Sequence, residues 1–375
     1  MSQPKSETEG REQGSLALSA LFPQPFIERL VSPLFAEPAR AELAEAYLGS
    51  PMAYACAEMC QSRAVDLEVL HGRAAYESIK SRRTRARGVE LAGALAGEGI
   101  ESVAFKGLAT SLSVYPHPAY RLLPDVDFLY READLPRLAK FLAARGFVTS
   151  LGPLPTRPWG VLIKASFAPI YPAARTFFLD VHRAVDEPPA SRGLDSETIF
   201  SRGVTLNTDW GPCMVACHEH SFAIAALHIY RDFYRPEALK GLFDGCLILN
   251  RFGRGLDWPH IEALARRGRF VNRLVFFRDL LEALGAGRAP LFEDRSLSRW
   301  LRPLLALVVE NCRTLDWQVM SDGRKMLQIG RAQSELQSRR KLVCRLLLEK
   351  KKTKYNTSNH SLLYFLVTSI STSLN

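Results

Sequence analysis

The chain has 375 residues, with 49 Lys+Arg against 39 Asp+Glu and a formal net charge of +10. Hydrophobic residues make up 47% and charged residues 23%, which excludes collagen-like, disulfide-scaffold and largely disordered classes. The charge is local: residues 324–354 hold eleven Lys/Arg and two acids, Glu335 and Glu349, so the remainder sums to +1. The total therefore does not describe a global positive field of the kind that attracts nucleic acid.

Residues 1–15 are polar and acidic, with no apolar signal core, and are expected to be disordered. No apolar run reaches the ~18 residues of a membrane-spanning helix. Stable membrane insertion is therefore not expected. Seven cysteines without a CxxC pair read as reduced thiols, which together with the missing signal core predicts a cytoplasmic protein.

From Ser32 to about Gly97 the pattern is helical, with Pro33, Pro38 and Pro51 near helix starts. Lys80, Arg82, Arg83, Arg85 and Arg87 form a basic run that reads as a solvated helix face ahead of a phosphate-binding patch. The period then changes. Residues 102–106 read as a strand ending at Lys106-Gly107, 108–115 as a short helix, and 125–130 as a second strand. Asp134 is placed as the N-cap of a helix running to about Arg145, with Gly146 as its stop. Residues 160–171 and 176–183 read as two further strands. Helical patterns return at 213–231, 236–252, 258–268, 270–284, 297–312 and 324–349.

The strongest local signal is Asp125-Val-Asp127. Residues two apart on a strand share a face, and two adjacent carboxylates repel unless solvent or a cation lies between them. Mg²⁺ suits such a pair, because it takes one or two protein acids and fills its shell with water and phosphate. Asp180 lies in a later apolar strand and supplies a third acid if that strand is a neighbour. Three acids clamping two metal ions is a usual arrangement for in-line phosphoryl or nucleotidyl transfer. Lys106-Gly107 closes a strand before a helix start, where backbone N–H groups and the lysine favour a phosphate. Arg121, four residues before Asp125, can grip a phosphate bidentately. Each has a plainer rival: solvated turn acids, a surface ion pair for Lys106, a loop anchor for Arg121, and a partner for Arg183 in Asp180. His228 and Asp244 either orient an acceptor or only hydrogen-bond inside the helical region. Cys213, Cys217, His218 and His220 invite a zinc reading. Their spacing does not put them on one helical face, so zinc is disfavoured.

The segments Ala104-Phe-Lys-Gly-Leu-Ala, Tyr115-Pro-His-Pro-Ala-Tyr-Arg-Leu-Leu-Pro-Asp-Val-Asp127-Phe-Leu and Leu179-Asp-Val-His182-Arg resemble the uncharacterised nucleotidyltransferase family of the DNA polymerase beta-like superfamily. The resemblance runs over about residues 30–285. It implies an α+β fold: a small nucleotidyltransferase-type mixed β-sheet core with helices, flanked by N-terminal and C-terminal helical regions. It further implies Asp125, Asp127 and Asp180 as catalytic ligands of two Mg²⁺ ions, replaceable by Mn²⁺. It puts the Lys106-Gly107 loop at the triphosphate of the NTP, where Arg121 is also expected from its ability to grip a phosphate. Two departures stand out. Lys106-Gly107 replaces the superfamily's Gly-Ser, and Asp180 stands where Glu is commoner, with a shorter reach.

The expected organisation is a disordered 1–15, a helical region 16–97, the nucleotidyltransferase core 98–210, a second helical region 211–323, and a basic helix with a poorly structured tail at 324–375. The expected reaction transfers a nucleoside monophosphate from NTP to a hydroxyl or amine acceptor, which could be a small molecule, peptide, protein or tRNA. The alternatives are a degenerate module that binds nucleotide without turnover, and an enzyme acting on RNA such as tRNA ends, with the basic helices as its track.

Overall fold

Alternating and helical periods in the sequence become a mixed sheet flanked by helices in a computed structural model, which describes residues 22–149, 152–153, 162–163, 166–167, 170–172, 177–233, 237–299 and 301–315. Expectations for 1–15 and 324–375 lie outside these residues. The described residues all belong to a compact unit that ends at Leu315.

After short helical turns over Gln24–Phe26, Ile27–Val31 and Ser32–Leu34 come α1 (Pro38–Leu48), α2 (Ser50–Met59) and the long α3 (Leu67–Gly97). Pro33, Pro38 and Pro51 each occupy the first or second helical position, where a missing N–H costs nothing. Asp66 caps α3 by accepting from the backbone N–H groups of Glu68 and Val69.

The α+β core follows: β1 (Val103–Ala104), α4 (Lys106–Ser113), β2 (Asp125–Leu129), α5 (Leu135–Ala144), β3 (Phe147–Thr149), β4 (Gly152–Pro153), β5 (Leu162–Ile163), β6 (Ser166–Phe167), β7 (Ile170–Pro172) and β8 (Phe178–His182). Then come α6 (Ser196–Ser201), β9 (Val204–Thr208) and β10 (Gly211–Val215). The ten strands form one mixed sheet whose main path is β4-β3-β7-β8-β2-β1-β10-β9, with β6 also on β8 and β5 on β6. β2 is parallel to β8 and antiparallel to β1.

One face of this sheet is sealed. Val126 and Phe128 of β2 and Leu179 and Val181 of β8 pack with Val89 and Leu95 of α3, Leu108 of α4, and Leu138 and Leu142 of α5. Apolar residues at i, i+3, i+4 and i+7 along α5 make it a cover for that face. The alternate residues of β2 and β8 point the other way and carry the polar groups described below.

The C-terminal helices are α7 (His218–Asp232), α8 (Ala238–Phe252), α9 (Trp258–Arg267), α10 (Val271–Ala283) and α11 (Leu301–Thr314). Asp257 caps α9, with Pro259 in its first turn. Phe22 and Phe26 stack on each other and meet Phe243 of α8 edge-on, which ties the start of the described chain to the C-terminal helices. None of the described helices is long and apolar enough to cross a membrane. The six cysteines among the described residues are free thiols.

Four sequence expectations need correction. Residues 213–231 are not one helix: Cys213 to Val215 belong to β10, which pairs antiparallel with β9, and the helix starts at His218. Val204-Thr-Leu-Asn-Thr carries the strand alternation, and Asp209-Trp-Gly211 makes the turn with Gly211 at φ +117°. Pro212 is tolerated because β1 touches β10 only at Val215, so no ladder bond is needed at that point. Residues 160–171 hold parts of three short strands rather than one. Asp134 precedes α5 but offers no side-chain cap and instead accepts from Arg137. Finally, the basic run is not wholly solvated: Arg85 is buried and donates to the Pro118 carbonyl and the Ser81 hydroxyl.

Candidate active site

Pleating and register assemble the site. Asp125 and Asp127 share a face of β2, and Phe178, Asp180 and His182 share the same face of β8. The parallel pairing sets Asp125 beside Phe178, Asp127 beside Asp180 and Leu129 beside His182. One carboxylate oxygen each from Asp127 and Asp180, with a ring nitrogen of His182, lie within 4.8 Å of one another. Asp127 and His182 are buried, while Asp125 and Asp180 keep part of their surface.

Lys106 enters from β1. It is the first residue of α4, at φ +52°, a conformation rare for a side chain with a Cβ. Its ammonium donates to Asp127 Oδ1 at 2.6 Å and stands 3.5 Å from His182 Nε2, which itself lies 2.9 Å from the same carboxylate oxygen. The Phe105 ring meets His182 edge-on at 4.9 Å. Backbone bonds lock these strands around the site: Phe105 N–H to the Asp127 carbonyl and Tyr130 N–H to the His182 carbonyl.

The electrostatics split the acids. Burial alone would raise the Asp127 carboxyl, but Lys106 and the hydrogen bond with His182 overcome it and hold Asp127 well below the usual carboxylate range. Burial, then the charge of Asp127, pushes Asp125 up to about 6. Burial and the charges of Asp127 and Asp125 push Asp180 up to about 7. Burial and the Lys106 cation press His182 below its ordinary value against the pull of Asp127. Two carboxylates that resist ionisation beside a third that is ionised describe a place that gains from an added cation.

Arg121, expected at a phosphate, turns inward. It is buried, and its Nε and second terminal nitrogen grip Asp244 of α8 bidentately at 2.9–3.2 Å, while its remaining nitrogen donates to the Leu122 carbonyl. The Tyr115 hydroxyl donates to the same Asp244 at 2.8 Å. This network ties the loop before β2 to the C-terminal helices and so holds the start of the Asp125–Asp127 strand. Asp244 thus takes the internal hydrogen-bonding role of its two readings. Gly107 is buried, and a side chain there would meet Leu123 at 3.0 Å and Arg121 behind it, so its small size serves close packing. The exposed cations Lys80, Arg82, Arg83 and Arg87 lie on α3, the helix that covers the sheet face away from the carboxylates.

Three further residues bear on the site, and of these the sequence flags only His228, as orienting an acceptor or hydrogen-bonding internally. His182 is visible as the second residue after Asp180, the same-face spacing that flagged Asp125 and Asp127. His228 of α7 is pressed well below its ordinary value by burial and by Lys106 and Arg231, which puts it within electrostatic reach of the site. Lys240 of α8 is lowered to about 8 by burial and Arg121, against the pull of Asp125. Lys240 lies more than a hundred residues from Asp125 and announced no spacing pattern. Cys213 is part of β10, and Cys217 is the position before α7. Among the described residues the only group of three or more clustered metal-ligating side chains is Asp127, Asp180 and His182.

A small mixed sheet with paired acids on one open face and helices behind the other defines a nucleotidyltransferase-type α+β protein. The chain belongs to the uncharacterised nucleotidyltransferase family, whose model matches residues 41–285. Among solved structures the chain is similar to an antigenic nucleotidyltransferase-like protein from Paracoccidioides brasiliensis, at 17% identity and a TM-score of 0.36, over 54% of this chain and 93% of that one. No curated protein matches the chain.

Proposed function

We propose that this chain is a divalent-metal-dependent nucleotidyltransferase. The reaction joins an acceptor oxygen or nitrogen to the α-phosphorus of an NTP, breaks the bond to the β-phosphate oxygen, and releases pyrophosphate and the acceptor's proton. The observation that carries this reading is the convergence of Asp127, Asp180 and His182 within 4.8 Å, with Asp125 beside them. Three carboxylates and one imidazole form a donor set that suits Mg²⁺ or Mn²⁺. Asp125, Asp127, Asp180 and His182 would hold the metal, which when bound neutralises phosphate charge and lowers the pKa of the acceptor hydroxyl.

The chain's own groups do the rest. Lys106 already pairs with an anion of the acid row, and its ammonium would serve a β- or γ-phosphate oxygen of a bound NTP. His182 orients Asp127. Arg121, Tyr115 and Asp244 hold the loop that presents Asp125. Catalysis would be mostly positioning and charge neutralisation.

One observation favours a second reading. The Lys106 ammonium pairs with the same Asp127 oxygen that His182 contacts, and so neutralises the deepest acid by itself. A module that binds nucleotide without turnover would keep this arrangement.

Incubation of the full chain with labelled NTPs, Mg²⁺ or Mn²⁺ and cell lysate separates the two. An enzyme releases pyrophosphate and labels an acceptor, and Asp127→Asn lowers that release at least a hundredfold. Metal-dependent NTP binding without pyrophosphate release supports the binding module. Absence of metal-dependent NTP binding ends both readings.

A further inference from the structure

Phe178 is one of the few large apolar side chains among the described residues that stays open to solvent, with 43% of its surface exposed. Its place is not incidental. It opens β8 in direct register with Asp125, and it shares a sheet face with Asp180 and His182. The Phe178 backbone therefore stands about 5 Å across the sheet from that of Asp125 and about 7 Å along the strand from that of Asp180, with the ring on the face that carries the acids. Tyr171, buried on neighbouring β7, meets it edge-on with centroids 5.6 Å apart and planes at 76°. That contact fixes the ring's tilt without covering it. An exposed aromatic ring beside a row of carboxylates gains nothing from water, and a planar partner would recover its buried area.

The two flanks of the acid row differ. Lys106 approaches Asp127 from the β1 side, and Phe178 stands on the β8 side. In a nucleoside triphosphate the α-phosphorus separates the nucleoside from the β- and γ-phosphates. With the outer phosphates drawn to Lys106, the nucleoside runs across the acids toward β8.

We infer that Phe178 is the platform on which the nucleobase of the bound nucleotide stacks, an inference that rests on the nucleotidyltransferase reading above. Stacking uses the π-face that every base has, so this contact selects nucleotides over bare polyphosphate and does not choose among bases.

The test is calorimetric titration of the full chain with ATP and, separately, with inorganic tripolyphosphate, each with Mg²⁺, for the wild type, Phe178→Ala and Phe178→Trp. Loss of one base–aromatic stack is expected to weaken ATP binding roughly five- to hundredfold in Phe178→Ala. Tripolyphosphate binding should stay within twofold, which also reports an intact fold, and Phe178→Trp should restore ATP affinity. Unchanged ATP affinity in Phe178→Ala, or equal losses for both ligands, overturns the inference while leaving the nucleotidyltransferase reading in place. If the wild type binds neither ligand, that reading fails and the inference falls with it.

Discussion

Asp180 is partly buried beside two other acids, and its ionisation is opposed both by burial and by Asp127 and Asp125. Its carboxyl titrates at about 7 in the folded chain against about 4 when unfolded. The folded state therefore favours the protonated form. That preference stabilises the protein fully below about pH 4 and is lost as pH rises through about 7. Asparagine does not titrate. In metal-free protein, Asp180→Asn should match the wild type near pH 4 and exceed it above pH 7.5 by about 1–3 kcal/mol, a range reduced for the water that still reaches Asp180. Urea unfolding with chelator at both pH values measures this. Equal stability at the higher pH would show that Asp180 carries no electrostatic strain.

Between β2 and α8 the structure relies on a buried ion pair rather than on apolar packing alone. Arg121 and Asp244 are both nearly inaccessible, and Asp244 also accepts from Tyr115. Removing one partner strands the other charge away from water. Asp244→Ala is expected to cost about 3–5 kcal/mol, seen as a lower urea midpoint, whereas the apolar pair Arg121→Met with Asp244→Leu should recover much of that loss. If the double variant recovers stability but its NTP affinity stays low, the pair positions Asp125 as well as holding the fold. The next residue shows how close the helices pack. A Cβ on Gly245 would lie 2.2 Å from the Phe277 ring, so α8 and α10 depend on that glycine.

Along the whole chain, the net charge and the chemistry fall in different segments. Residues 324–354 carry eleven of the 49 basic residues, while the acid row, Lys106 and the ion-pair network all belong to the unit that ends at Leu315. A chain lacking 324–375 is therefore expected to keep the NTP affinity of the full chain within about twofold at physiological salt, because Lys106 and the acids that would hold the cation all belong to the unit that ends at Leu315. A soluble, folded truncation that loses affinity, measured by the same titration, would assign the basic segment to substrate binding.

Much of the layout was legible because it depends on short-range rules. The prolines at helix starts, the Asp257 cap and the shared face of Asp125 and Asp127 follow from one residue's preferences or from a two-residue repeat. The strand that holds Asp180 was readable as an element, and His182 was visible in the same two-residue spacing although it received no role. Other features needed contacts between segments far apart in the chain. Arg121 reads as an exposed phosphate ligand until Asp244, over a hundred residues later, is brought against it. Gly107 reads as room for a phosphate, and the packing adds that Leu123 stands where a side chain would go. The β9–β10 hairpin was hidden because Cys213 and Cys217 fit a helical frame as well as a strand followed by a cap. By itself the sequence determined which residue types could share a face and which family the chain resembles, since both are written in local order. Tertiary structure alone decided that β8 lies beside β2 in the register that sets Asp180 against Asp127, and that Lys106 rather than Arg121 reaches the acids. Register and burial are properties of packed neighbours, and no spacing along a single segment encodes them.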